Sequence, residues 1–186
     1  MSGESVLLNA DAKMRKAVDV LKHELSTVRT GRAHPGLVEH IMVDYHGTPV
    51  PLNQIAGISV PEARLLVIQP WDKSVLPNVE KAILKSDLGL NPHNDGNIIR
   101  LAIPQLTEER RTQLVKMVRK KVEDGKVAVR NVRRDALEGL RKLKDDKEMT
   151  EDEQKRALGR LQQLTDKFVE EIDRIAKAKE SELMEF

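Results

Sequence analysis

The sequence contains no cysteine. Disulfides and thiolate metal sites are therefore excluded, and a zinc-like ion would need histidine and carboxylate ligands alone. Aromatic residues are nearly as scarce, with one Trp, one Tyr and two Phe among 186 residues. That count argues against an aromatic-centred core and against a platform that reads single strands by stacking successive bases. No apolar stretch approaches the roughly 20 residues needed to span a bilayer. The opening MSGESVLLNADAKM lacks the basic region and apolar run of a secretory signal. The expectation is a soluble, cytoplasmic protein with no membrane partner. Nucleotide and metal motifs are also missing, since there is no GxGxxG, P-loop or HExxH pattern. His23, His34, His40, His46 and His93 have no ligand-like spacing and are read as surface or turn residues. Asn94–Asn97 is turn chemistry, and Asp145, Asp146, Asp152 and Glu153 suit a loop and helix cap better than a carboxylate pair. No catalytic residue, cofactor or metal is expected, so the chain is read as a non-enzyme.

What the sequence does have is charge. Charged residues make up 33% of the chain, yet the net charge is only +2. The two signs are segregated. Residues 110–144 hold 13 basic and 4 acidic side chains, a net +9, whereas residues 148–186 hold 7 and 11, a net −4. Residues 31–106 are close to neutral. A basic segment beside an acidic one points to an anionic partner approached from one side. The alternative is that the acidic segment simply pairs with the basic one, giving a coiled-coil-like protein-interaction module with a solvated basic face.

Hydrophobic periodicity sets the architecture. Residues 5–29 read as a helix, with Leu7, Met14, Leu21 and Val28 at seven-residue intervals and Gly31 just beyond as a stop. Residues 32–104 contain all eight prolines and several short β-like runs: Ile41–Tyr45, Gly57–Val60, Leu65–Gln69 and Ile98–Ile103. His46-Gly47 is the signature of a two-residue hairpin turn. Pro49 and Pro51 place the return strand at an edge. Ser74 is the expected cap of a helix to about Ser86, with Val79, Ile83 and Leu84 facing inward. From Thr107, Leu114, Val118, Val122, Gly125, Val129, Val132, Ala136, Leu140 and Leu143 continue one helical seam to about Asp145. Gly125 is its weak point. Thr150–Glu153 forms a capping box, which opens a last helix with Leu158, Leu161, Leu164, Phe168, Ile172 and Ile175 as its seam. Three amphipathic helices bury their stripes most simply as a bundle. The predicted fold is α+β: a long three-helix bundle of residues 1–30 and 105–186, with a small β/α/β domain of residues 31–104 inserted between its first and second helices. Two chain crossings, at Thr30-Gly31 and Pro104-Gln105, then act as a hinge.

The strongest functional signal lies in Lys126–Lys144. Arg130, Arg134 and Arg141 fall roughly opposite Val132 on the helix, with Arg133 and Lys126 on the flank. Forked guanidiniums on a stiff helix can grip phosphates in a bidentate way. With aromatics absent from this stretch, the pattern favours recognition of a structured nucleic acid through its backbone and shape.

The order of motifs is distinctive. LSTVRTGRAHPGL (Leu25–Leu37), DYHGTPVPL (Asp44–Leu52), EKAILKSDLGLNP (Glu80–Pro92), PQLTEERR (Pro104–Arg111), KVAVRNVRRDA (Lys126–Ala136) and the final KESELMEF together resemble the bacterial ribosome recycling factor family along essentially the whole chain. The resemblance implies an L-shaped protein whose bundle and small domain are joined by a two-strand hinge. It implies a translation factor that binds the large subunit of the post-termination ribosome and, with elongation factor G and GTP hydrolysis by that partner, splits it into subunits. It implies that the Arg-rich face meets ribosomal RNA, that the smaller domain swings and meets elongation factor G, and that the protein works as a monomer. The candidate RNA-binding residues are Arg130, Arg133, Arg134, Lys126 and Arg119 on the ridge helix, with Arg29 and Arg32 from the VRTGRA motif.

Overall fold

The computed structural model of the protein describes residues 2–185. Its contacts divide the chain into two compact units, one of residues up to 29 together with 108–185, the other of residues 30–107.

The first unit is a three-helix bundle of α1 (Gly3–Ser26), α3 (Glu108–Asp145) and α4 (Glu151–Glu185). Helix α1 begins and ends earlier than its heptads predict. A reciprocal Ser2–Ser5 capping box starts it, with the Ser5 N–H donating to Ser2 Oγ at 3.1 Å and the Ser2 N–H to Ser5 Oγ at 2.9 Å. At the other end, tighter bonds from the Thr27 and Val28 N–H groups to Glu24 and Leu25 close the last turn. Val28 keeps the heptad and stays buried although it lies outside the helix, which is why periodicity overshot the end.

Helix α3 is 38 residues long, roughly 55 Å at 1.5 Å per residue. It ends in a Schellman turn: Lys147 takes φ 60°, its N–H bonds the Lys144 carbonyl, and the Glu148 N–H bonds the Leu143 carbonyl. The left-handed position carries lysine rather than glycine, so no sequence signal marked it. Helix α4 starts at the expected cap, with the Glu153 N–H donating to Thr150 Oγ1 at 3.1 Å.

Side-chain pairs fix the helix directions. Glu4 pairs with Arg160 and Arg15 with Glu171, both 156 residues apart, so α1 and α4 run parallel. Along α3, Gly125 lies against Leu21 and Gly139 against Val6, while Arg119 pairs with Glu180 and Lys126 with Asp173, so α3 runs antiparallel to both. Met14, Val18, Val129, Leu140, Phe168 and Ile172 are fully buried along the axis, each contributing about 1.5–3 kcal/mol by leaving water. Val132, Leu158, Leu164 and Ile175 are only half-buried. Gly125 is a designed contact and not a flaw: a Cβ there would stand 3.1 Å from Leu21 Cδ2, so its absence lets α1 approach α3 closely.

The second unit holds two antiparallel sheets and one helix. Strands β1 (Met42–Tyr45) and β2 (Thr48–Pro51) form a hairpin closed by His46 at φ 51° and Gly47 at φ 89°, the double left-handed geometry of a type I′ turn. Because β2 pairs only with β1, its prolines interrupt no inner ladder. The larger sheet has the order β3 (Ala56–Glu62), β4 (Leu65–Pro70), β6 (Ile99–Ala102), β5 (Pro92–Asn94). Strand β5 was not expected, since it is three residues long and starts with proline. Its turn into β6 is the anticipated Asn94–Asn97 stretch, with Asp95 Oδ1 accepting from the Asn97 and Ile98 N–H groups.

Helix α2 (Leu76–Lys85) differs from expectation in two respects. It has no side-chain cap of its own: Asp72 caps the short 3-10 turn Lys73–Val75 that leads into it, its Oδ1 accepting from the Ser74 N–H at 2.9 Å, so Ser74 is the residue capped. Leu84 faces solvent at 58% exposure, while Val79 and Ile83 are fully buried. Their neighbours in the core are aliphatic: Val43, Leu52, Leu66, Ile68, Ile99 and Leu101.

Candidate nucleic-acid interface

The expected site residues fall into separate groups. Arg130 and Arg134 lie on the outward face of α3, both exposed. They share that face with Lys116, Lys120 and Arg141 at helical spacing. Arg119, Lys126 and Arg133 lie on the flank that turns toward α4. Arg29 closes the first unit just beyond α1, and Arg32 belongs to the second unit; both are exposed.

Most of the ridge is not a field of bare cations. Arg130 Nη2 meets Glu123 Oε1 at 2.7 Å, and Arg141 Nη2 meets Glu138 Oε2 at 2.9 Å. Arg134 Nη2 donates to Asn131 Oδ1 at 3.2 Å. Arg119 Nε reaches Glu180 Oε1 at 2.8 Å and Lys126 Nζ reaches Asp173 Oδ1 at 2.6 Å, both across to α4. These pairs are exposed enough to be worth only about 0–1 kcal/mol each. An incoming phosphate competes with them at little cost. Sequence reasoning located the cations and missed their partners, because the acidic residues come from α4 or from other turns of α3.

Arg133 differs from the rest. It is half-buried, its Nε is shielded from solvent, and that Nε has no hydrogen-bond partner. Leaving such a donor unmet costs about 1–3 kcal/mol. An oxyanion arriving at the same guanidinium restores a partner to the side chain.

The opposite flank of the bundle carries its strongest electrostatic link. Glu171 on α4 takes Arg15 Nη1 at 2.8 Å and Lys22 Nζ at 3.1 Å. The Arg15 hydrogen bond, helped by Lys22 and opposed by burial, holds the Glu171 carboxyl down at about 2. Arg15 also lies 4.8 Å from the centre of the Phe168 ring. This cluster holds α1 and α4 together and faces away from the ridge.

The expected hinge residues lie at the ends of the second unit. Thr30 is buried, and Gly31 has φ 78° with Leu106 Cγ 3.1 Å from where a Cβ would be. Nearby, the Ala33 N–H donates to the Ala63 carbonyl at 2.7 Å and the Ile103 N–H to the Arg64 carbonyl at 2.8 Å. The incoming and outgoing chain are thus pinned to adjacent residues of one turn. Pro104 and Gln105 follow in an exposed, irregular stretch.

The second unit has a groove of about 380 Å³ between Tyr45, Val50, Gln54, Ile55, Trp71 and Asp72. Asp72 also faces His46 Nε2 at 3.3 Å. Among the described residues no cluster of three or more His, Asp or Glu side chains is arranged for a metal ion, and no helix is long and apolar enough to cross a membrane.

The chain is thus a two-unit α+β protein: a three-helix bundle with one cationic helix, and a small α/β unit inserted between its first and second helices. The family model for ribosome recycling factor matches residues 21–184, and the chain belongs to that family. Its relatives include the ribosome-recycling factors of Desulforamulus reducens, 57% identical over 98% of both chains, and of Pelotomaculum thermopropionicum, 55% identical over the full length of both. A solution structure of the ribosome recycling factor superposes with a TM-score of 0.80 at 47% identity, covering 100% of this chain and 99% of that one. A second solved structure, also 47% identical, has a TM-score of 0.67 and covers 99% of this chain and all of its own. It represents the Thermus thermophilus factor with Escherichia coli elongation factor G on the Escherichia coli post-termination complex. Members of the family are translation factors and not enzymes.

Proposed function

We propose that the protein binds the post-termination ribosome through ribosomal RNA of the large subunit and, with elongation factor G and its GTP hydrolysis, separates the subunits. The observation that carries this reading is the nearly full-length kinship to a family with a member structurally described on that complex together with elongation factor G. In this reading the bundle, residues 1–30 and 105–186, is the ribosome-binding part. Arg130, Arg133 and Arg134 meet RNA phosphates, Lys126 and Arg119 add to the field, Arg29 contributes at the bundle's end, and Arg32 contributes from the first residues of the inserted domain. The inserted domain, residues 31–104, meets elongation factor G and moves about Thr30, Gly31, Pro104 and Gln105. The factor acts in the cytoplasm as a monomer.

The test is binding to ribosomes across a salt series, followed by a subunit-splitting assay with and without elongation factor G. With about four phosphates contacted, affinity falls roughly 100-fold over a fourfold rise in salt. A flat response favours the protein-interaction reading, in which the ridge cations serve only their observed acidic partners.

A further inference from the structure

The flank between α3 and α4 has a regular register. Arg119, Lys126 and Arg133 follow one another at seven-residue steps along α3, while Glu180, Asp173 and Asp166 follow at seven-residue steps in the opposite direction along α4. In antiparallel helices packed at heptad spacing, such residues meet in successive rungs. Two rungs are closed, Arg119 with Glu180 at 2.8 Å and Lys126 with Asp173 at 2.6 Å. The register assigns Arg133 to Asp166, and that rung is open. Asp166 Oδ1 instead accepts from Gln162 Nε2 at 2.8 Å, one turn away on its own helix. Among the described residues Arg133 makes no ion pair, and its buried Nε has no acceptor.

We propose that Gln162 is a positioning residue that withholds the Asp166 carboxylate from Arg133 and so keeps this one guanidinium available to an external oxyanion. The oxyanion is an RNA phosphate if the function proposed above is right, and the inference rests on that reading for its ligand. The chemistry of the latch is competition. A carboxylate oxygen held by a neutral amide one turn away is less free to rotate toward a cation across the groove. Without the amide, the third rung closes as the other two do. The ladder then becomes self-satisfied at the position where a binding surface needs an unsatisfied donor. The pattern accounts for why the cation with a buried Nε is also the unpaired one, although a heptad partner of opposite sign is available.

The experiment uses the full chain and the Gln162→Leu variant, which keeps side-chain bulk and helix propensity at an exposed site. Coupling between Arg133 and Asp166 is measured by a double-mutant cycle in denaturant unfolding, with Arg133→Gln and Asp166→Asn. The expected coupling is negligible with Gln162 present and about threefold in the folding constant in the Gln162→Leu background, typical of a surface ion pair. Ribosome affinity of Gln162→Leu is expected to fall about three- to tenfold, with a shallower salt dependence. Adding Asp166→Asn is expected to restore both, a rescue that a merely structural role for Gln162 does not produce. Equal coupling in the two backgrounds overturns the latch, whatever the ribosome does. Coupling that appears while ribosome affinity stays unchanged, with Arg133→Gln still weakening binding, overturns the gating of Arg133. If Arg133→Gln itself leaves ribosome binding untouched, the phosphate role assigned to Arg133 fails separately, and the unfolding cycle still decides whether Gln162 withholds Asp166.

Discussion

The two units solve the same problem with different materials. The bundle is nearly all helix, and among the described residues its one buried aromatic, Phe168, sits among aliphatic seams. Its charges are sorted into an outward ridge and lateral pairs. The inserted unit has little net charge and depends on turns: His46-Gly47, the Asp95 turn and the Asp72 cap each place a strand or helix whose own sequence is too short to do so. It also carries the only Trp and Tyr, with Trp71 72% exposed beside the groove. Surface chemistry differs accordingly. The bundle offers cations suited to a polyanion, and the small unit offers an apolar and aromatic surface of the kind protein partners use. In the proposed function, contact with RNA and contact with a protein are divided between the two units in this way.

The sharpest way to break that division is at Arg133. Replacing it with glycine is expected to reduce subunit splitting about tenfold or more, the scale of a lost charge-assisted hydrogen bond, and to lower bundle stability by about 1 kcal/mol through helix propensity. Arg133→Gln preserves the helix and is expected to keep most of the splitting defect. Parallel splitting and unfolding measurements separate the two effects. Full splitting by the glutamine variant would show that charge at this position does not matter.

The bundle was largely legible in the sequence because long periodic seams leave few alternatives. Leu114, Val118, Val129 and Leu140 were all expected inside and are buried. Errors arose where one local contact overrode the pattern. Val28 keeps the heptad after Thr27 has closed the helix, and Lys147 takes a left-handed turn that glycine usually marks. In the small unit, β5 and the Asp72 cap escaped notice because their signals are one or two residues long, and Leu84 was assigned inward from hydrophobicity alone. Of the interface, the cations were visible and their pairing was not. Glu180 and Asp173 lie 61 and 47 residues beyond Arg119 and Lys126, and only the folded hairpin brings them together.

A second test concerns the inserted unit's entry. At φ 78°, Gly31 cannot be replaced by proline, whose ring fixes φ near −65°, and a residue with a side chain there is strained. Gly31→Ala is expected to destabilise this unit by about 1–2 kcal/mol through the left-handed conformation, with added crowding against Leu106. Hydrogen exchange reads the loss directly. If the crossing acts as the proposed hinge, splitting falls while ribosome affinity holds. An equal loss of both would place Gly31 in the binding surface.

In the bundle, acid acts at Glu171. Its folded carboxyl is depressed from 4.5 to about 2 by the Arg15 hydrogen bond and the Lys22 charge. A depressed carboxylate contributes stability above its unfolded value and loses it as pH falls. The bundle should therefore weaken between about pH 4.5 and 2. Arg15 and Lys22 are 40% and 49% exposed, so screening reduces the effect to about 1–2 kcal/mol. Glu171→Gln is expected to flatten this part of the stability profile. An unchanged slope in that variant would assign the acid sensitivity to other carboxylates.

The smallest effect distinguishes two glycines within the bundle helices. Gly159 has open space where a Cβ would stand, whereas the Cβ of an alanine at Gly125 would lie 3.1 Å from Leu21 Cδ2. Both substitutions gain about 0.8–1 kcal/mol in helix propensity. At Gly159 nothing opposes that gain, so Gly159→Ala is expected to raise stability by nearly the full amount. At Gly125 the inserted methyl must push Leu21 aside in a packed interior, where overpacking costs about 1–3 kcal/mol. Gly125→Ala is therefore expected to be neutral or destabilising. Combining it with Leu21→Val, which withdraws the opposing branch, is expected to recover part of the difference, read as a non-additive change in the unfolding midpoint. If Gly125→Ala stabilised as much as Gly159→Ala, the approach of α1 to α3 would not depend on that glycine, and the residue would be the weak point in the ridge helix that its propensity alone suggests.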